Sequence, residues 1–546
     1  MSMIPITAEH SPTTTIVDRL SGIPLFEQQL EAVVGGDSLS KSSAPGSSQK
    51  SESALEFVTW DGPDDPQNPK NWSYAYKWWV TLVVCIICLD VTFASSAPTS
   101  ALHAVAHEMH VSTETANLVT TMFLIGYVVG PPIWGPGSEL LGRKYVSLIA
   151  LGIYAIFQVG QARAQNIGTL LVTRFLGGLF ACAPLTNAGG IIADMWDPVG
   201  RGHALAIFTA SVFIGPVLGP VIGGYITTSN LGWRWIFWVL MICAGACTVF
   251  GFAFLPETYA PTLLAQKARR LRKLDPVANN GLLAESETKI WTPREILRLT
   301  ILRPFTMMFV EPILALITIY ISLVYGIVYS LFEAYPLIFI GKRGLTIPQN
   351  GLMFIGIGIG AVLSVFVTWF FSRSYPQLIK EWRGFPPPEK RLPMGMIAGP
   401  MLVIGTLWLG WTGNYASIPW YVPALGTIFV GMSAILIFIS FLSYILDSYI
   451  TYAASAFAAN TMIRSGVAAA FPLFTTQMFN GMGINWASTL IAGISLLLAP
   501  VPFIFYKYGP RIRAGSSFAP CTDLIIAKEL AAEREERKAG EVYKEA

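Results

Sequence analysis

Twelve long apolar runs dominate this sequence of 546 residues and limit it to one class of fold. Each run reaches the roughly 17 residues that an α-helix needs, at minimum, to cross a bilayer. Backbone polar groups in lipid must be satisfied within the chain, so such runs form helices. Charged residues make up only 13% of the chain, against about 25% in soluble domains. The predicted spans are residues 77–97, 116–136, 145–162, 168–193, 204–228, 233–255, 312–334, 350–372, 393–413, 419–446, 453–479 and 485–506.

The interval between the sixth and seventh runs is the longest, and it divides the chain into six plus six spans. The stretch Gly35–Ser53 is rich in glycine, serine and lysine, which predicts disorder, and no cleavable signal precedes the first span. The predicted segments are a cytosolic, largely disordered segment 1–76, a six-helix bundle 77–255, a cytosolic middle loop 256–304, a second six-helix bundle 305–506 and a cytosolic tail 507–546.

Lysine and arginine are concentrated in the loops of one parity, above all in the middle loop, which carries Lys267, Arg269 and Arg272. Loops rich in these residues stay on the cytosolic side of a membrane. We therefore predict a multi-pass protein of the plasma membrane with both termini in the cytosol.

The fifth run contains a dense glycine and proline stretch over residues 215–224. Three of its glycines recur every fourth residue and so fall on one face of a helix, where a second helix can approach closely. The two prolines lie one residue further round and can bend the helix. An ordinary tight helix contact and a bend within a protein that changes shape both fit this pattern. The stretch comprises Gly215, Pro216, Gly219, Pro220, Gly223 and Gly224.

The loop after the second run reads Gly135-Pro-Gly-Ser-Glu139-Leu-Leu-Gly142-Arg143-Lys. Gly135 and Gly142 permit a tight turn. Glu139 and Arg143 supply charges that can hold two parts of the protein together and release them, although a solvated turn is the simpler alternative.

Two charged residues lie deep within predicted spans, where a charge usually faces a cavity or a partner. Asp90 is about 13 residues into the first span, or roughly 20 Å at 1.5 Å per residue. Arg174 is about six residues into the fourth span from the other side, in the pattern Leu170-x-x-x-Arg174-x-x-Gly177-Gly178. The two depths coincide, so an ion pair between them is possible, as are separate partners for each.

These stretches resemble the motifs of the major facilitator superfamily and occur in the same order as in that family. The resemblance extends from about Asp65 to Arg513. The 215–224 stretch resembles the antiporter motif of its exporters. The 135–144 loop resembles its conformational latch, with Glu139 at the usual aspartate position. The resemblance is strongest to fungal drug:proton antiporters with twelve spans, which implies a major facilitator fold of two six-helix bundles.

The resemblance also implies that Arg174 takes part in proton coupling. An arginine stays protonated at any working pH, so its role would be to tune a nearby acid. Our hypothesis is that Asp90 is the group that titrates.

In the second half, polar and aromatic side chains recur on helical faces and predict a substrate cavity, with an interhelical contact as the alternative. Arg464 lies about 11 residues into its span and needs either a counter-ion, for which Asp447 is a candidate, or an anionic ligand. Glu333 lies near the end of its span and can instead anchor at the interface. The predicted cavity residues are Tyr325, Tyr329, Glu333, Asn460 and Arg464.

Other classes of function find little support in the sequence. No phosphate-binding glycine-rich loop followed by Lys-Ser/Thr is present, so no ATP-driven motor is predicted. The pair Cys85 and Cys88 lacks a second ligand pair, and His103 and His107 fall in a wet loop, so we predict no metal site and no cofactor. We expect neither enzymatic activity nor binding to nucleic acid, and we expect a monomer.

The sequence therefore predicts a secondary transporter that exports an amphipathic or cationic organic compound, such as a drug, toxin, polyamine or secondary metabolite, in exchange for protons. Its partners would be this small molecule, protons and the lipid bilayer. A proton-coupled uptake symporter shares most of these features. A channel and a transporter-like sensor are further alternatives.

Overall fold

We describe the protein from a computed structural model, which covers residues 56–276, 281–288, 292, 294–295 and 298–545. The disorder predicted for Gly35–Ser53 lies outside the described residues. The described chain forms two compact units. The larger contains residues 56–376 and 387–525, and the smaller contains residues 377–386 and 526–545.

The first half of the larger unit is helical from Tyr74 onward, after a short 3-10 turn at Pro69–Asn71. Its α-helices are α1 (Tyr74–Ser96), α2 (Leu102–Glu108), α3 (Thr113–Val129), α4 (Pro131–Leu141), α5 (Arg143–Ala162), α6 (Ile167–Met195), α7 (Pro198–Thr228) and α8 (Arg234–Phe254). A 3-10 turn at Ala97–Ala101 joins α1 to α2.

The middle loop contributes α9 (Ala260–Leu274) and the four-residue α10 (Glu285–Thr288). Two-residue strands β1 (Glu56–Phe57) and β2 (Leu282–Leu283) pair in parallel beside them. Lys267 on α9 contacts Asp61 at 2.6 Å, which ties the segment before α1 to the middle loop.

The second half begins with a π-helical turn at Arg298–Leu302. Its α-helices are α11 (Arg303–Val310), α12 (Pro312–Tyr335), α13 (Ile347–Leu352), α14 (Ile355–Ser372), α15 (Tyr375–Glu381), α16 (Pro393–Asn414), α17 (Tyr421–Ser448), α18 (Ala453–Met482), α19 (Ile484–Leu498), α20 (Val501–Ala514) and α21 (Thr522–Glu545). Shorter turns are the π-helical Pro336–Gly341 and the 3-10 Pro388–Arg391 and Ile450–Tyr452.

Ten helical segments of the described chain are long and apolar enough to cross a membrane. The pair α3 and α4 adds an eleventh, bent by 46° at Gly130. The one predicted span left, the eleventh in chain order, is α18, which has 30 residues but a lower hydropathy because it carries Asn460 and Arg464 among many alanines. The outer faces of these helices expose large apolar residues, such as Val249 and Leu497, as a lipid-facing surface requires.

Successive spans run in opposite directions, so the bundle has two ends. We call the end where α1 begins the entry end and the end where α1 stops the far end. In the first half α1 packs on α7, and α6 packs on α3 and α5. In the second half α12 packs on α18, and α16 packs on α17 and α19. Helices α3 and α7 of the first half also contact α18, α13 and α14 of the second.

The smaller unit contains the end of α15, the loop that follows it and most of α21. Within it, the guanidinium of Arg383 donates to the carboxylates of Glu529, at 3.1 Å, and Glu533. These side chains are exposed, so the ion pairs add little stability.

Candidate functional site

A cavity of about 420 Å³ lies between the two halves. Its walls come from α4, α6 and α7 of the first half and from α11, α17 and α18 of the second. All its lining residues lie in the entry half of the bundle, from Arg143 and Arg303 at the rim to Val212 and Arg464 at its deep end. The cavity therefore faces the entry end.

Helix α7 closes the far end through contacts that leave no room for side chains. A Cβ atom on Gly219 would lie 1.9 Å from the Ser96 Oγ, and one on Gly215 would lie 2.0 Å from the Thr92 Oγ1. One turn later, a Cβ atom on Gly223 would lie 2.3 Å from the carbonyl oxygen of Ala97. The glycine face of α7 thus packs directly on α1.

The neighbouring face of α7 contacts the second half. A Cβ atom on Gly224 would lie 3.2 Å from the carbonyl oxygen of Ile347, and one on Gly351 would lie 2.3 Å from that of Pro220. Both Pro216 and Pro220 are buried, and α7 stays one continuous helix through them. The residues of the 215–224 stretch therefore join α7 both to its own half and to α13.

Three further hydrogen bonds join the halves toward the far end, one of them from the Asn117 amide to the carbonyl oxygen of Pro472 at 3.5 Å. The hydroxyls of Ser95 and Tyr329 are 2.8 Å apart. The Thr121 hydroxyl donates to the carbonyl oxygen of Ala469 at 3.0 Å. With the contacts of α7 on α13, they join the two halves between the cavity and the far end in this conformation.

Arg464 stands at the deep end of the cavity and is only 8% exposed. Its guanidinium lies 5.0 Å from the ring centre of Phe438 and 5.4 Å from that of Tyr325. Its Nε has no hydrogen-bond partner, and no carboxylate among the described residues lies within ion-pair distance. The prediction that Asp447 is the counter-ion of Arg464 is wrong, because Asp447 pairs with Arg391 and Arg201 instead.

The other residues predicted for the cavity do not line it in this conformation. Tyr329 contacts Ser95, Glu333 accepts from the Thr476 hydroxyl at 3.0 Å, and Asn460 donates to the Thr318 hydroxyl at 3.1 Å. Tyr325 lies behind Phe438 and touches the cavity only through Arg464. Their assignment to the cavity stays a prediction for a conformation that opens at the far end.

The ion pair between Asp90 and Arg174 is not formed. Arg174 is fully buried and donates to three backbone carbonyl oxygens, those of Val119 at 2.9 Å, Ala94 at 3.1 Å and Ser95 at 3.5 Å. Two of these carbonyls lie where α1 ends, and the last carbonyls of a helix lack partners within it. The guanidinium thus caps α1 instead of pairing with the carboxylate.

Asp90 is 4% exposed, and neither carboxylate oxygen has a hydrogen-bond partner. Its electrostatic neighbours are Tyr154 on α5 and Cys243 and Cys247 on α8. Asp90 is not among the residues that line the cavity. The carboxyl group therefore faces the interior of the first half, and Tyr154 interacts with both Asp90 and Arg174.

At the entry end, Arg143 pairs with Asp194 of its own half at 2.9 Å. The predicted contact of Arg143 with the other half is therefore not made in this conformation. Gly142 lies in a turn with φ of 94°, as the sequence predicts. The predicted turn at Gly135 is wrong, because Gly135 lies inside α4. Glu139 lines the cavity near Arg143.

Glu257 holds the start of α5, a role that the sequence did not reveal. Its carboxylate accepts from the backbone N–H groups of Arg143 at 3.0 Å and Lys144 at 3.1 Å. A carboxylate is favourable at a helix N-terminus, where N–H groups lack partners. A Cβ atom on Gly142 would lie 2.4 Å from this carboxylate, so a glycine is needed there.

A corresponding charge cluster occupies the entry end of the second half. Arg391 donates to Asp447 at 2.9 Å, and the Tyr375 hydroxyl donates to the same carboxylate at 2.9 Å. Burial alone would lower the pKa of Arg391, but Asp447 and Tyr375 outweigh it and raise that pKa above its usual value. Arg201 of the first half reaches Asp447 at 3.8 Å, which makes this the ion pair that joins the halves.

Comparison with known proteins agrees with this architecture. A family model described as Major Facilitator Superfamily matches residues 82–472.

The chain belongs to the major facilitator superfamily.

Among curated members of the superfamily, a citrinin biosynthesis cluster transporter of Monascus ruber is 41% identical over 480 residues, covering 85% of this chain and 93% of that protein. An efflux pump of Trichophyton rubrum is 40% identical over 487 residues, covering 89% and 80%. The solved proton:xylose symporter shares the fold, with a TM-score of 0.57 at 17% identity over 80% of this chain and 96% of that one. This protein is thus a multi-pass membrane transporter of the superfamily.

The charge cluster of Arg391, Asp447 and Tyr375 in the second half was not predicted from the sequence. The loop after the eighth span lacks the glycine pattern of the 135–144 loop, so the sequence predicts at most a degenerate second latch there. An aspartate at the end of the tenth span and an arginine before the ninth, at the positions that Asp194 and Arg143 hold in the first half, were the available signal.

Proposed function

We propose that the protein exports an amphipathic organic compound by alternating access, driven by protons. The observation that carries this proposal is the cavity of about 420 Å³ between the halves, which faces the entry end and is separated from the far end by helix contacts. Alternating access requires such a site between two bundles that can tilt about it.

The same contacts suggest how the tilt would occur. The far end is held by close backbone packing of α7 on α1 and α13, and by three hydrogen bonds between the halves. No ion pair joins the halves there among the described residues. At the entry end the Arg201–Asp447 pair, at 3.8 Å, joins them. Opening the far end would break few polar contacts and expose few charges.

Asp90 supports the coupling to protons. A buried carboxyl group without hydrogen-bond partners can exchange a proton when its surroundings change. Because it faces the interior of the first half, an organic substrate in the cavity does not touch it. Arg174 fixes the end of α1 one turn away at Ala94, so a change at Asp90 could be passed to the helix that α7 packs on.

Excess basic residues in the loops of the entry end favour a cytosolic position for that end. The printed names of the relatives, an efflux pump and a biosynthesis cluster transporter, favour export from there.

The experiment is an accumulation assay in a host strain with and without the gene. A panel of toxic compounds and metabolites is tested with the proton gradient intact and collapsed. We expect lower accumulation of some compounds in gene-bearing cells only while the gradient persists. Gene-dependent export that survives gradient collapse would refute the coupling, and gene-dependent gradient-driven accumulation would identify an uptake symporter.

A further inference from the structure

We propose that the substrate of the cavity is an anion, an aromatic or polycyclic compound with a carboxylate or similar acidic group that binds Arg464. This proposal rests on the proposed transport function and narrows its substrate class.

The first argument is the state of Arg464. A buried guanidinium costs free energy unless it is paired. Arg174, a buried arginine of the first half, has its hydrogen bonds satisfied by three carbonyl oxygens. Arg464 has two aromatic rings beside it and an Nε without a partner, although it lines the cavity. The guanidinium makes no hydrogen bond or ion pair with another described residue, so a molecule in the cavity can supply an acceptor to the nitrogens beyond the buried Nε.

The second argument is the charge of the cavity lining. It contains four arginines and two carboxylates among the described residues, an excess of two positive charges. One of the carboxylates, Asp194, is already paired with Arg143. The other, Glu139, lies at the entry end near Arg143 and Arg303. A cationic compound would find no acidic group at the depth of Arg464.

The third argument is the wall beside Arg464. Phe438, Phe208 and Phe457 line the cavity with aliphatic residues such as Leu205 and Leu442. Such walls bury a ring system, while a few polar groups fix its orientation. A fork of guanidinium donors matches the two oxygens of a carboxylate. The ligand that fits has a flat apolar body with an acidic group at one end.

The test compares three probes of one shape, 2-naphthoate, 2-naphthamide and 2-naphthylmethylammonium, bound to the purified full-length protein and measured by isothermal titration calorimetry. We expect naphthoate to bind at least about tenfold more tightly than naphthamide, since a hydrogen bond to a charged group contributes that much or more. The ammonium probe should bind most weakly.

In Arg464→Gln the preference for naphthoate over naphthamide should fall to about twofold or less. Arg464→Met, which keeps an unbranched apolar stem without the charge, should behave alike and serves if the first variant does not fold. Arg464→Lys should keep a reduced preference. The matched control is Arg373→Gln, since the Arg373 guanidinium lies on the ring of Trp369 outside the cavity and its loss should leave the preference intact.

The proposal is overturned if the wild-type protein binds the amide or ammonium probe as tightly as naphthoate, or binds none of the three. It is also overturned if both charge-removing Arg464 variants keep the wild-type preference. A naphthoate preference that depends on Arg464, without any naphthoate transport in proteoliposomes, would instead support the anion site and count against the proposed export function.

Discussion

The two halves of this transporter each hold a charged side chain without a partner, and the two differ in sign and in surroundings. In the first half it is the acid Asp90, which faces α5 and α8 inside its own bundle. In the second half it is the base Arg464, which faces the cavity between the bundles. The acid is buried away from the cavity, and the base lies where an organic molecule in the cavity can reach it.

This difference separates two tasks that a coupled transporter must perform. In our proposal Asp90 exchanges the proton, because its carboxyl group has no hydrogen-bond partner and does not line the cavity. Arg464 suits substrate binding because the cavity ends at its side chain. The second buried arginine, Arg174, shows what the same residue type looks like when its role is structural, with carbonyl acceptors on two neighbouring helices.

The largest effect on stability should follow from Arg174→Gln. Up to three carbonyl oxygens would lose their donor, and each unpaired buried polar group costs about 1–3 kcal/mol. We expect a loss of about 3 kcal/mol or more, seen as a clear fall in the apparent Tm of the purified protein in detergent. An unchanged Tm, as expected for Arg373→Gln, would show that the Arg174 contacts do not hold α1.

An intermediate effect is expected from Asp447→Asn. Asparagine keeps a hydrogen bond to Arg391 but leaves the buried guanidinium without a counter-charge, a change of about 1–3 kcal/mol. It also removes the ion pair from Arg201, so the halves should move apart at the entry end. The matched variant in the first half is Asp194→Asn, whose partner Arg143 lies in the same half.

Spin labels at Lys144 and Arg373, one on each half, would measure this movement by electron–electron double resonance. The distance distribution should lengthen in Asp447→Asn and stay unchanged in Asp194→Asn. The reverse pattern would mean that the 135–144 loop, and not the second-half cluster, joins the halves.

The smallest effect on stability is expected from Arg464→Gln, although this residue is as deep in the bundle as Arg174. No protein acceptor loses a donor, and an unpaired buried charge is removed. The apparent Tm should equal or exceed that of the wild-type protein. A fall comparable to that of Arg174→Gln would show that Arg464 has a structural partner and would remove the contrast between the two arginines.

The fold was predictable to a large extent, because hydropathy over about 20 residues reports membrane spans directly. Even α18, the least apolar, could be recognised from its length. The burial of Asp90 and Arg174 also followed from their depth in the sequence. The partners of these two side chains could not be predicted in this way. A guanidinium can reach backbone carbonyls on any neighbouring helix. The hydropathy pattern also does not report which way α1 is turned about its axis, and α1 is turned so that Asp90 does not pair with Arg174.

The cavity was harder to predict for a related reason. Tyr325 and Tyr329 share a helical face, which indicates that they point the same way, but not whether the space before them is filled. In this conformation Ser95 and Phe438 fill it. Arg464 was left with two possible partners, and only the position of Asp447 beside Arg391 excluded one of them.

The separation of proton and substrate sites is tested most directly by Asp90→Asn in proteoliposomes loaded with the transported compound. We predict that this variant still binds the compound and still exchanges it between the two sides at equal pH, while accumulation driven by a proton gradient is lost. Loss of binding would place Asp90 in the substrate site. Gradient-driven accumulation at the wild-type level would show that Asp90 does not carry the proton.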